Sequence, residues 1–252
     1  MRVSLPSPRL EIFPNERAAA RALARRIVAA LAVNPRLVLG LPTGKTPVGF
    51  YHELAAIAGS GHADFSQATT FNLDEFVGIR PSHAGSDRRC MEQHLFSRVN
   101  LNPARIHFLD GSAADPEAEC ARYERAIVEA GGIDIQILGI GVNGHIGFNE
   151  PARELSSRTH RVRLKPETRR SNASLFGGNP HAVPEEALSM GMATILQARA
   201  IVLLATGRSK AACVDRLVNG PITTELPASF LQVHHNVDIL VDEAAAERLR
   251  RL

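Results

Sequence analysis

Cysteine is scarce in this chain. Cys90, Cys120 and Cys213 are the three present, too few and too far apart for a disulfide framework or a Cys-x-x-Cys metal site, and suited to a reducing cytosol. Aromatic residues make up 5% of the sequence, and they do not alternate with basic residues as a surface that stacks single-stranded nucleic acid requires. Neither sign of charge dominates: 29 Lys+Arg stand against 26 Asp+Glu, a net of +3, so no nucleic-acid partner is expected. Long apolar runs are missing too, and Glu11 and Glu16 precede the first apolar stretch, which excludes a membrane span and a secretory leader. The expectation is a soluble, cytoplasmic protein without a membrane partner. The Arg-rich segment ERAAARALARRIVAALAV, 16 to 33, has the amphipathicity of a surface-lying helix, but its apolar face is read as packing on a sheet.

What is present is a core. Of 252 residues, 44% are hydrophobic, enough for one large domain or two small ones; a single domain over 1–252 is the expectation. Short β-branched runs recur at 36–41, 68–76, 133–141, 199–207 and 237–242. Between them lie helical patterns at about 16–33, 47–58, 86–98, 115–130, 208–219 and 243–251. Fully apolar strands alternating with helices predict an α/β fold: a doubly wound, mostly parallel, Rossmann-like sheet with helices on both faces. The stretch at about 152–185 has weak periodicity and a Gly-Gly-Asn-Pro breaker, and is read as an irregular lid.

Ligands of such sheets sit beyond the carboxyl ends of the strands, so the residues that follow each apolar run carry the functional signal. GLPTGKTP, 40 to 47, resembles the nucleotide-triphosphate loop G-x-x-x-x-G-K-[ST] but is one residue short. It retains a strand, a Gly-containing turn and a helix start, a combination that favours an anion. NLDEF, 72 to 76, ends a second strand with Asp74 and Glu75; Asp74 suits either chemistry or a helix N-cap. GVNGHIGFNEP, 141 to 151, places the Asn143 amide, the His145 imidazole and the Glu150 carboxylate in one Gly-rich loop, an acid–base set without metal-ligand spacing. TGRSK, 206 to 210, puts Lys210 at a helix start, where a cation needs solvent or an anionic partner.

Taken in order along the chain, GLPTGKTP, TTFNLDEFVG, GIGVNGHIGFNEP, SSRTH and TGRSKA resemble the glucosamine-6-phosphate deaminase (isomerase) family, which is related to the 6-phosphogluconolactonases. The GHIGFNEP stretch is similar to the deaminase branch. The resemblance implies that Asp74 is the base at carbon 2 of the opened sugar, that His145 opens the ring, and that Asn143 and Glu150 support it. It also implies that Thr43, Gly44, Lys45 and Thr46 cradle the 6-phosphate with Lys210 as charged partner. No metal or organic cofactor is expected, and a homo-oligomer is compatible with a family that ranges from monomers to hexamers. Some residues depart from the pattern. Ser174 stands where the family commonly has a lid arginine, with Arg169 and Arg170 or Lys45 as candidates to restore the charge. Ser86-Asp87 replaces a Ser-Tyr pair, and His160 and Val162 replace basic activator-binding positions. The alternatives are a galactosamine-6-phosphate deaminase, a lactone hydrolase, or a non-enzymatic sugar-phosphate sensor.

Overall fold

The computed structural model describes residues 8–249. Seven strands form an all-parallel sheet: β1 (Arg9–Phe13), β2 (Val38–Leu41), β3 (Thr69–Asn72), β5 (Ile106–His107), β6 (Ile135–Leu138), β9 (Ala200–Ala205) and β10 (Val237–Asp242), in the order β1-β10-β9-β6-β2-β3-β5. The remaining three, β4 (Asp74–Phe76), β7 (His160–Arg163) and β8 (Glu186–Ser189), form a small antiparallel sheet in the order β4-β8-β7.

Alternation along the buried strands divides the core between the two faces of the large sheet. Ile201, Leu203 and Ala205 of β9 join a cluster with Cys120, Tyr123 and Ile127 of α4 (Pro116–Glu129), Ile195 of α6 (Met192–Leu196) and Val214 and Leu217 of α7 (Ala211–Asn219). Val202 and Leu204 point the other way, towards Leu23 and Ile27 of α1 (Glu16–Val33), Phe50 and Leu54 of α2 (Lys45–Gly59) and Met91 of α3 (Asp87–His94). A period of two on a strand covered by helices on both sides yields this partition. The apolar stripe of α1 belongs to that core, so the helix packs on the sheet as its periodicity predicts. Among the described residues no helix is long and apolar enough to cross a membrane.

Three expectations need correction. The run 68–76 is two strands, because the chain leaves the large sheet after Asn72 and pairs with β8 from Asp74 onward. The segment 152–185 is more ordered than its composition suggests. It holds β7, the helix α5 (Pro166–Asn172) with Pro166 in its first turn, and a 3-10 turn over Ala173–Phe176. Finally, residues 243–249 form turns instead of a helix. The carboxylate of Asp242 accepts from both Gly207 and Ala245 N–H groups, tying the chain back to the sheet; residues 250 and 251 of the expected helix lie outside the described residues.

Strand order reverses between β2 and β6: the chain runs from β2 to β3 on one side and later returns to place β6 on the other. A crevice opens at the carboxyl ends of strands at such a reversal. The loops that follow β2 and β6 carry GLPTGKTP and GVNGHIGFNEP.

Candidate active site

A cavity of about 230 Å³ occupies this crevice, lined by residues 42–47, Leu73, Asp74, Phe76, Asp87, residues 139–142, His145, Gly147, Phe148, Ser171, Asn172, Leu175 and Lys210. All four sequence motifs meet there. A larger, more open hollow of about 660 Å³ lies between α4 and Arg158-Thr159. It contains none of those motifs, and Glu124 within it is already held by Thr159 and Thr194.

The loop after β2 turns at Gly44, whose φ of 102° lies in the region that disfavours any side chain. Gly44 is the N-cap of α2 and no side chain caps that helix, so the helix start, which lines the cavity, keeps N–H groups available to an anion. Lys45 opens α2 and is exposed, with Thr43 and Thr46 beside it on the cavity wall. From the opposite side comes Lys210, at the junction between the 3-10 turn Arg208–Lys210 and α7; burial lowers its pKa. The tyrosine hydroxyl of Tyr51 in α2 donates to the Pro42 carbonyl, which pins the loop to its own helix.

His145 sits in a tight loop whose Gly141 N–H donates to the His145 carbonyl at 2.9 Å. A Cβ on Gly141 would stand 2.2 Å from the imidazole Cε1, so the ring can lie over this turn only because position 141 lacks a side chain. Asn143 Oδ1 accepts the His145 backbone N–H at 3.2 Å and lies 2.7 Å from His145 Nδ1. The backbone bond identifies that atom as the amide oxygen, so Nδ1 carries the proton and Nε2 keeps its lone pair. Burial, reinforced by the charge of Lys210, lowers the His145 pKa to about 4. The imidazole is therefore neutral at neutral pH and able to accept a proton.

Asp74 begins β4 and pairs in register with Ser189. It does not cap a helix. Its carboxylate is buried at the cavity wall, and Gly147 of the His145 loop passes close by: a Cβ added there would be 3.6 Å from Asp74 Oδ2. Burial first, and the charge of Glu75 second, raise the Asp74 pKa to about 7, opposed by the Thr43 hydroxyl. Glu75 points away from the cavity, into the start of α3. It accepts from the Ser86 hydroxyl at 2.7 Å and from the Phe76, Arg88 and Asp87 N–H groups at 2.9, 3.0 and 3.1 Å.

Other expected site residues lie elsewhere. Glu150 does not contact His145: its carboxylate accepts from the Thr168 hydroxyl and, at 3.2 Å, from the Lys165 N–H, and so fastens the start of α5 to the His145 loop. Arg169 donates to the carbonyls of Val183 and His181, Arg170 pairs with Glu167 at 2.9 Å, and neither lines the cavity; nor does Ser174. Ser171, Asn172 and Leu175 provide the wall on that side instead. The reason is the helical phase of α5 and its 3-10 extension, which an irregular reading of the segment leaves undefined. Asp87 shows in the sequence only as part of the departure from a Ser-Tyr pair. Ser86 is the N-cap of α3, and Asp87, the next residue, lines the cavity.

The chain and its fold are similar to those of known proteins. The family model for glucosamine-6-phosphate isomerases/6-phosphogluconolactonase matches residues 15–240. A glucosamine-6-phosphate deaminase of Halothermothrix orenii is 47% identical over 96% of this chain and 100% of its own length. One from Rhodopirellula baltica is 48% identical over 95% of each. Among solved structures, a monomeric glucosamine-6-phosphate deaminase superposes with a TM-score of 0.92 at 39% identity, covering 95% of this chain and 99% of its own. The 6-phosphogluconolactonase of Trypanosoma cruzi, at 18% identity and a TM-score of 0.80, shares the fold.

Proposed function

Because the chain belongs to the glucosamine-6-phosphate isomerase/6-phosphogluconolactonase family, we propose that its crevice converts glucosamine 6-phosphate and water to fructose 6-phosphate and ammonia. The observation that carries this reading is the convergence, in one cavity, of a neutral imidazole, a buried carboxylate of raised pKa and a cationic helix start. His145 Nε2 takes the proton of the anomeric hydroxyl as the pyranose opens. Asp74, ionised, then removes the proton from carbon 2 of the open chain and delivers it to carbon 1. The nitrogen-bearing carbon 2 becomes an imine, water adds to it, and ammonia leaves. A carboxylate with a pKa near 7 suits this task, since it is substantially ionised at neutral pH and basic enough to hold a proton in transit.

The 6-phosphate is assigned to the open N-terminus of α2, where the N–H groups after Gly44, the Thr46 hydroxyl and the Lys45 ammonium converge, with Lys210 completing the charge; Thr43 shapes the loop while its hydroxyl serves Asp74. One phosphate needs a smaller cradle than three, which accounts for a loop shorter than that of a nucleotide site. Glu150 supports the reaction through the lid and not through the imidazole: it holds α5, and α5 carries Ser171 and Asn172 to the cavity. The sugar phosphate is the partner in this reading, and the protein acts in the cytoplasm.

The test is ammonia release measured over a panel of hexosamine 6-phosphates, including the galactosamine epimer, with a lactone substrate beside them. Glucosamine 6-phosphate is expected to give the highest kcat/KM, and Asp74→Asn, which keeps size but removes the base, to lower it by about 100- to 10,000-fold. A folded D74N protein that deaminates at the parent rate overturns the role of Asp74; turnover of the lactone alone overturns the reaction.

A further inference from the structure

Asp87 is a second buried carboxyl beside the one that acts as base. It is 5% exposed and Asp74 7%, and both line the same cavity. Their neighbour Glu75 has the helix start to itself: it takes the Ser86 hydroxyl and the N–H groups of Asp87 and Arg88, so α3 offers these donors to neither aspartate. Thr43 lines the same cavity as both, and its hydroxyl opposes the rise of each carboxyl. A hydroxyl has one proton; it can donate to one carboxylate, and must accept from the other.

The surrounding charges do not relieve the pair. The Arg88 guanidinium is turned to Glu92, 2.6 Å away. Lys45, at the start of α2, and Lys210, at the end of its 3-10 turn, line the cavity without acting on either aspartate, and His145 is neutral. Tyr51 of α2 and Cys90 of α3, the remaining titratable groups around the two aspartates, are both held in their protonated forms, first by burial and then by the nearby acids. Two carboxylates in such a place do not both ionise.

We propose that Asp74 and Asp87 are a one-proton carboxyl pair bridged by the Thr43 hydroxyl, in which protonated Asp87 donates to Thr43 and Thr43 donates to ionised Asp74. Asp87 is then a positioning residue that acts on the reaction through Asp74, and this role rests on Asp74 being the base. The repulsion is mutual, and the proton rests on Asp87 because burial pushes its carboxyl well above the usual range while Asp74, raised to about 7, ionises first. The arrangement keeps the base ionised beside a neutral neighbour and aims its free lone pairs into the cavity.

The test begins without substrate. Infrared titration of protein carrying ¹³C-carboxyl aspartate is expected to show one buried protonated carboxyl persisting above pH 7, absent in Asp87→Asn. In Asp74→Asn that group ionises at a pH lower by about 1 unit or more, because its anionic neighbour is gone. The pH profile of kcat/KM for ammonia release adds a second readout. Asp87→Ala, with no donor, moves the acid limb up by about 1 unit, and Asp87→Asn, whose amide still donates, restores it. The proposal is overturned if the parent keeps no protonated buried aspartate above pH 7, where Asp74 has ionised, if that signal survives in D87N, or if D87A leaves the acid limb in place. Failure of the parent to release ammonia from any hexosamine phosphate would count against the proposed reaction while leaving the infrared result to decide the pair.

Discussion

Replacing Asn143 by Asp places a carboxylate where the amide oxygen now stands, 2.7 Å from His145 Nδ1. The imidazole has a pKa of about 4, lowered from 6.5 mainly by burial, and the parent provides no anion at Nδ1 to offset it. Opposite charges about 4 Å apart in an effective dielectric of about 20 attract by about 4 kcal/mol, or about 3 pKa units at about 1.4 kcal/mol each. The new carboxylate is itself partly desolvated, so the net rise is about 1 to 3 units, bringing His145 to between about 5 and 7. Imidazole NMR titration measures this directly, with His145→Gln identifying the resonance. The same change alters acid stability. In the parent, the unfolded chain takes up the histidine proton below pH 6.5 and the native state does not until about pH 4. Stability therefore rises with pH across that window, and is lost as pH falls through it. From pH 7 to 5 this group alone costs about 2 kcal/mol, falling to about 0.5 kcal/mol if the native pKa is about 6. A His145 midpoint that moves by less than about half a unit in N143D would falsify the assignment of Asn143 Oδ1 as the Nδ1 acceptor.

The other outcomes follow from single contacts. Lys45→Gly should raise the KM for phosphorylated sugars about tenfold or more, the value of a charged hydrogen bond, and less so at high salt. Arg170→Ala should leave it unchanged, because Arg170 pairs with Glu167 outside the cavity; the reverse result would place the phosphate under the lid. Gly141→Ala drives a methyl into the His145 ring and should lower kcat/KM about 100-fold, as a displaced catalytic group does, with circular dichroism unchanged. Parent-like activity in G141A would show that the ring does not lie over that turn when it works.

The helix at Glu16–Val33 has the boundaries its amphipathic stripe predicts, and β10 occupies Val237–Asp242 as its apolar run predicts. Such elements are legible because local periodicity and burial agree. The cavity was legible for a related reason: in a parallel sheet the residues that follow the apolar runs lie together at one edge, so Thr43 to Thr46, Asp74, His145 and Lys210 could be collected before any contact was known. Tertiary structure decided what a side chain does once it arrives. NLDEF reads as a strand end, but only the change from the large sheet to pairing with β8 separates Asp74, at the cavity, from Glu75, at the start of α3. In FNEP the Glu150 carboxylate is five residues from His145 and bonds instead to Thr168, eighteen residues away. The edge strand Arg9–Phe13, with no run of buried residues, gains its identity from pairing with β10. Asp87, in the sequence only part of a departure from a Ser-Tyr pair, lines the cavity because α3 starts at its wall. Periodicity is encoded locally, whereas the neighbour that satisfies or perturbs a buried polar group comes from a distant part of the chain, and only packing brings the two together.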